Sequence, residues 1–388
     1  MRDPIGKKAA ELKPSGIRKF FDIVAEMDDV ISLGVGEPDF DTPWAIRDEG
    51  IYSLERGRTF YTSNSGLKEL RTEIAAYIRR RLGVNYNPVS EILVTVGGSE
   101  GIDLAFRAMI NPGDEVLIPE PSYVSYKPCA ILADAVPVVI PLKEKNQFRL
   151  TAEEVEAAVT PKTKILVLPF PNNPTGAVMT RADLEAVAKV CIEHDLYVLS
   201  DEIYSELTYT GEDHCSIIQI PGMKERTILI DGFSKTFAMT GIRLGYLAAS
   251  EGMTDRMNTL LENVFSCINE PIQWGGVAAL EGGREAVEEM KETYRKRRRR
   301  IVDGLNAIHG ISCMEPAGAF YVFPDIRKSG LSSMDFAMSL LQEEHVVVIP
   351  GSGFGAGGEG FVRISYAVDM ETIDEGLRRI RRFMKNRR

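Results

Sequence analysis

Lys235 stands in the stretch DGFSKTFAMTGIRLGY, residues 231–246, and its setting separates it from the rest of the chain's 46 lysines and arginines. Most lysines keep their ammonium in water. Here Phe233, Phe237, Ala238 and Met239 flank it in the chain, and residues 244–249, LGYLAA, read as a buried strand just beyond it. An amine in apolar surroundings has its pKa pushed down and becomes a nucleophile able to form a Schiff base with a carbonyl. Gly232 and Ser234 precede it and Arg243 follows, with Gly241 and Gly245 letting the backbone pass close to something. On these residues alone, Lys235 is either a surface charge or a covalent catalyst.

The elements that must position it begin at residue 91, where short apolar runs alternate with amphipathic helices, the signature of βα units and a mainly parallel sheet. Residues 92–96 read as a strand, GGSEG at 97–101 as a turn and 102–110 as a helix. The turn aims free N–H groups of a helix start beyond the strand, which suits an anion such as phosphate, or it is a tight turn with no ligand. Further strands are predicted at 116–119, 136–140, 164–169 and 197–200, separated by helices at 124–133, 152–159 and 181–194. Two strand ends carry polar sequences, NNPTG at 172–176 and DEIY at 201–204. Ligands of open parallel sheets bind outside the carboxyl ends of strands, so Asn173, Asp201 and Tyr204 fall where chemistry is done.

On the N-terminal side, LGVGEPDF at 33–40 reads as a short strand breaking into a Gly/Pro loop. A helix is predicted at 43–56, with Thr42 as N-cap and Pro43 at its first position. Tyr61 sits in a polar loop, YTSNSG, before a helix at 67–82. Beyond Lys235 the pattern is helical over 254–307, interrupted at Pro271 and at Gly282-Gly283. A smaller α+β region closes the chain, with strands at 320–323, 346–349 and 361–365 and helices at 333–343 and 370–385. Gly353, Gly355 and Gly358 match GxGxxG. A dinucleotide fingerprint must open a helix, however, and the strand-like FVRIS follows Glu359, so no dinucleotide is expected there.

At 388 residues the chain is longer than one core usually supports, and two domains are expected. A net charge of −10 argues against nucleic acid or an anionic membrane surface as partner. The basic run RKRRRR at 295–300 follows Glu285, Glu288, Glu289 and Glu292 and reads as a solvated helix face with i,i+4 acid–base pairs. Five cysteines, odd in number and without a CxxC pair, suit reduced thiols in the cytoplasm, and the four histidines show no metal-ligand spacing. The N-terminus lacks an apolar signal core, and no stretch approaches the length of a membrane span.

In order along the chain, GEPDFDTP, NNPTG, DEIYSEL, SKTFAMTGIRLGY and RISYA together resemble the class I aminotransferases, the aspartate aminotransferase family of fold-type I pyridoxal-phosphate enzymes. The resemblance runs from LKPSG at 12–16 to RISYA at 363–367. It implies a mainly parallel central sheet with helices on both faces plus a smaller α+β domain. The division it suggests is a large cofactor domain at 46–285 and a small domain built from 286–388, which the segment 1–45 joins.

The resemblance also assigns roles. Lys235 matches the lysine that holds pyridoxal 5′-phosphate and then acts as base, Asp201 the carboxylate paired with the pyridine nitrogen, and Tyr204 with Asn173 the donors to the cofactor's ring oxygen. Ser234, Arg243 and the Gly98-Ser99-Glu100 turn match the phosphate site, Glu100 through its backbone N–H alone because a carboxylate repels a phosphate. Tyr123 falls where family members stack an aromatic ring, many of them a tryptophan. Arg363 matches the substrate-carboxylate arginine, aided by Asn173 and the backbone of Gly36. Tyr61 matches a tyrosine that reaches the neighbouring subunit's cofactor phosphate, which implies a homodimer.

The implied reaction moves an amino group from an L-amino acid, such as aspartate or an aromatic amino acid, to a 2-oxo acid in ping-pong fashion. A β-lyase or decarboxylase on the same fold is the alternative, since both start from the same bound state. A regulator with an appended DNA-binding domain is not expected, because the match begins within the first dozen residues.

Overall fold

A computed structural model describes residues 2, 4–12 and 29–387; of LKPSG, residues 13–16 lie outside the described residues. The strands are β1 (Ile31–Ser32), β2 (Ile92–Thr95), β3 (Glu115–Glu120), β4 (Val136–Pro141), β5 (Thr163–Leu168), β6 (Tyr197–Asp201), β7 (Thr227–Gly232), β8 (Gly245–Ala248), β9 (Tyr321–Val322), β10 (Val346–Val347), β11 (Ile349–Pro350) and β12 (Val362–Ser365). Seven of them form one sheet in the order β2-β8-β7-β6-β5-β3-β4. Six of the seven run the same way and β8 runs against them.

The central strands are near-continuous apolar runs because helices cover both faces. Their alternation sorts side chains cleanly between two cores. Ile92, Val94, Leu229, Tyr246 and Ala248 pack with Leu70, Ile74 and Ile78 of the helix Lys68–Leu82 on one face. Leu93, Ile228, Ile230 and Leu247 pack with Ala105 and Phe106 of the helix Gly97–Met109 and with Leu261 of the helix Glu251–Val264 on the other. Full burial of each such Leu, Ile or Phe contributes roughly 1.5–3 kcal/mol, which holds the strand ends in register.

A second body of structure surrounds the antiparallel sheet β11-β12-β9 and the parallel pair β1-β10. Its core joins Leu33 to Tyr294, Ile301 and Leu305 of the helix Arg284–Asn306, Phe336 and Leu340 of the helix Ser333–Glu344, and Ile373, Leu377 and Phe383 of the helix Met370–Lys385.

Several local expectations change. The helix starting near residue 43 spans Trp44–Glu55 with Pro43 as its N-cap, because the Thr42 hydroxyl donates to the Ala238 carbonyl at 2.6 Å instead of capping. The helix after β2 begins at Gly97, so the predicted turn is the first turn of the helix itself. The long helical region breaks at residues 265–269, where the Asn269 side chain accepts from the Ile272 N–H and Pro271 sits in the next helix's first turn. The short strand read at the start of 33–40 falls just before it, as β1, and the Gly/Pro loop follows; 346–349 contributes to two short strands.

The basic run is the solvated face expected of it only in part: Lys296, Arg299 and Arg300 are exposed, whereas Arg297 is buried. Arg284–Glu288 and Arg295–Glu292 pair along the helix, but Arg297 bonds Asp39 at 2.7 Å, Arg298 bonds Glu315 at 2.9 Å and Arg300 pairs with Asp374. These arginines project toward three other segments, with the guanidinium of Arg297 also 5.5 Å from the Phe40 ring. Gly353 and Gly358 lie in two short 3-10 turns, residues 351–354 and 356–358, with Gly355 between them and β12 following.

Candidate active site

Four strand ends meet at one edge of the seven-stranded sheet. β6 ends on Asp201, β7 passes through Gly232 into a one-turn helix carrying Ser234 and Lys235, β2 leads to Gly97, and β8 starts two residues after Arg243. Gly245 is in register with both Gly232 and Thr95, so these groups share one level. A Cβ on Gly245 would lie 2.6 Å from the Gly97 carbonyl carbon and 2.7 Å from the Gly98 nitrogen, contacts that only glycine avoids. Gly97 has φ +69°, and a Cβ there would meet the Arg243 guanidinium at 2.6 Å, which lets that guanidinium lie over the helix start.

A cavity of about 340 Å³ opens at this edge. Lys235, Asp201, Tyr204, Asn173, Ser234 and Arg243 line it, as do Gly98, Ser99, Tyr123, Gly36 and Arg363. Eleven of the thirteen residues singled out from the sequence therefore surround one space. Glu100 and Tyr61 do not. The Glu100 side chain turns back to accept from the Val96 N–H at 2.6 Å, and burial pushes its carboxyl up. Tyr61 is 88% exposed on the surface of its own chain.

The Lys235 ammonium donates to the Gly36 carbonyl at 2.6 Å. Burial pushes its pKa down to about 8; Arg363 and Arg243 add to the effect and Glu37 opposes it. Asp201 is a buried carboxylate without an ion-pair partner among the described residues. Its Oδ2 accepts from the Tyr126 hydroxyl at 2.6 Å and its Oδ1 from the Ile203 N–H at 3.3 Å. Burial raises its pKa, with the Tyr126 bond opposing. The Tyr204 hydroxyl lies 2.8 Å from that of Tyr321.

Arg363, on β12, is 7% exposed. It donates to Asn173 Oδ1 at 3.0 Å and to the Gly34 carbonyl at 2.6 Å, while its Nε is buried without a partner. The rings of Tyr321 and Phe354 lie 4.5 and 4.9 Å from its Cζ. Among the described residues no carboxylate pairs with it, nor with Arg243, whose only protein acceptor is the Thr240 carbonyl at 3.1 Å. A buried guanidinium lacking an anion is poised to take one. No group of three His, Cys, Asp or Glu side chains among the described residues could hold a metal ion, and all five cysteines are free thiols.

Sequence reading missed Tyr126 and Tyr321. Tyr126 lies three residues after Tyr123 and Tyr321 sits in GAFYVF, where each reads as one more core aromatic. Their functional contacts are made across 75 and 117 residues, and no local pattern announces them.

A lysine with a lowered pKa, a buried carboxylate and two guanidiniums without a carboxylate partner thus meet at the strand ends of a mainly parallel sheet, and the chain belongs to the family Aminotransferase class I and II, whose model it matches over residues 28–380. It is 44% identical over 379 residues, 97% of each chain, to the aromatic-amino-acid aminotransferase 2 of Thermococcus litoralis. It is equally 44% identical over 379 residues, 97% of each chain, to the aspartate aminotransferase of Pyrococcus abyssi. The crystal structure of the aromatic aminotransferase from Pyrococcus horikoshii OT3 superposes with a TM-score of 0.91 at 44% identity, covering 95% of this chain and 99% of that one. The fold is thus that of the fold-type I aminotransferases, and the chain is a transferase of amino groups. The family depends on pyridoxal phosphate. No helix among the described residues is long and apolar enough to cross a membrane.

Proposed function

We propose that this chain moves the amino group of an L-amino acid to a 2-oxo acid, 2-oxoglutarate, by a ping-pong mechanism, with pyridoxal phosphate held in the cavity, and that it works as a cytoplasmic homodimer. One observation carries the reading: the buried, carboxylate-free guanidinium of Arg363 opens on the same cavity as the Lys235 amine.

The residues present fit the cofactor. Ser99, Ser234, Arg243 and the free N–H groups at the start of the helix Gly97–Met109 form an oxyanion cradle whose glycines a Cβ would fill. Asp201 supplies the anion that holds a pyridine nitrogen protonated, and Tyr126 keeps that carboxylate aimed. Tyr204 and Asn173 offer hydrogen bonds to a ring oxygen, and Tyr123 offers an aromatic surface. When bound, pyridoxal phosphate supplies the electron sink for a substrate carbanion.

The chain's own residues do the rest. Arg363, with Asn173 and the Gly36 backbone, grips the α-carboxylate and fixes the amino acid's orientation. Lys235, neutral above about pH 8, is the base that takes the proton from the substrate's α-carbon and, as ammonium, would hand it to the cofactor's C4′ carbon rather than back to the α-carbon. Its bond to the Gly36 carbonyl holds the amine at the cavity wall before the cofactor is taken up. The donor is L-aspartate, an aromatic amino acid or a related one; the two 44% identical relatives are named for one class each and support both equally.

The test is to incubate the purified chain and pyridoxal phosphate with a panel of L-amino acids, with and without 2-oxoglutarate. Glutamate appearing only when the acceptor is present is the expected result. Ammonia with pyruvate, or carbon dioxide, released without acceptor would instead make it a β-lyase or a decarboxylase.

A further inference from the structure

We infer that Tyr321 is a positioning residue for amino transfer: its hydroxyl orients that of Tyr204, and its ring holds the Arg363 guanidinium in place. The inference rests on the function proposed above. Tyr321 is buried on β9, and its hydroxyl lies 2.8 Å from that of Tyr204. The face of the same ring lies 4.5 Å from the Arg363 Cζ. A Cβ on Gly36 would come within 2.8 Å of the Tyr321 oxygen, so glycine at 36 is what leaves room for the hydroxyl; the Gly36 carbonyl in turn receives the Lys235 ammonium. One side chain therefore joins the phenol facing the cofactor site to the guanidinium facing the substrate.

The direction of the shared hydrogen bond follows from proton count. A phenol carries one proton, so either tyrosine can donate while the pair stands alone. Once Tyr204 donates to an ionised ring oxygen it can only accept from Tyr321, and such a chain strengthens each bond in it. Burial raises the pKa of both phenols, so both keep the proton that the relay needs. The charged and titratable groups facing the pair are Arg363 on β12, Asp201 at the end of β6, Tyr123, and Glu37 in the loop after β1. Arg363 opposes the rise at both phenols.

The experiment is a pH titration of the absorbance of lysine-bound pyridoxal phosphate in Tyr321→Phe, Tyr204→Phe and the double variant, beside the wild type. Losing one donor in the chain moves the midpoint of Tyr321→Phe upward by about half a pH unit. Tyr204→Phe moves it in the same direction, and adding Tyr321→Phe to Tyr204→Phe moves it no further. Phenylalanine keeps the ring over Arg363, so the KM for whichever amino acid the wild type turns over stays unchanged. An unmoved midpoint in Tyr321→Phe, an additive shift in the double variant, or a raised KM with the midpoint fixed overturns the inference. A wild type that never develops the bound-cofactor absorbance overturns the proposed function, and this inference with it.

Discussion

At the scale of single residues, the chemistry turns on two cations held in unusual states. Lys235 is an amine made available near pH 8 by burial. Labelling of the cofactor-free chain with an amine-selective reagent, read at the Lys235 peptide, should rise with pH about a midpoint near 8; a midpoint near the ordinary lysine value of about 10.4 contradicts that environment. Arg363→Ala should weaken amino-acid binding by roughly 2–5 kcal/mol, the range for removing one partner of a buried charge contact, seen as a raised KM; unchanged apparent affinity would move the carboxylate site elsewhere. Lys235 was legible in the sequence because its apolar neighbours are adjacent in the chain. Tyr126 and Tyr321 were not, because what makes them functional is a partner 75 or 117 residues away.

At the scale of elements, the cavity edge depends on glycines packed together, Gly232 at the end of β7, Gly245 at the start of β8 and Gly97 just after β2. Gly245→Ala drives a methyl into the backbone at Gly97 and Gly98. It should cost about 1–3 kcal/mol of stability, as overpacking does, and weaken pyridoxal-phosphate binding with it, because the displaced backbone is the proposed phosphate cradle. Thermal unfolding and a cofactor titration check both, and a full-strength cofactor site in a stable variant would show that this glycine packing is not needed. The βα alternation and the strand-end polar residues were readable because burial on both faces leaves apolar runs with abrupt polar stops. The fate of residues 295–300 was not: the local pattern allowed i,i+4 pairing, and the choice of Asp39, Glu315 and Asp374 instead depends on where other segments fold.

At the scale of the molecule, we propose that residues 46–285 form the body carrying the cofactor site, while 286–388, joined by 1–45, form a smaller body. That smaller body carries Arg363 and moves with it to exclude water from the reacting carbon. The exposed Tyr61 lies outside its own chain's cavity, which fits a side chain that completes a second copy's site. Mixing Lys235→Ala with Tyr61→Phe chains should then restore activity in the mixed dimers, since one of the two sites there has its own Lys235 and the other chain's Tyr61. No restoration after verified subunit exchange would argue for self-contained sites.

The proposed function has this cavity transfer an amino group through Lys235. The most direct measurement is a single half-reaction: the chain loaded with pyridoxal phosphate, mixed with an excess of L-aspartate or L-tyrosine and no acceptor, with absorbance and products followed together. The account predicts loss of the lysine-bound absorbance with one 2-oxo acid formed per site and no free ammonia, and no absorbance to lose in Lys235→Ala. Continued release of ammonia or carbon dioxide beyond one equivalent, or an intact bound-cofactor absorbance in Lys235→Ala, would contradict it.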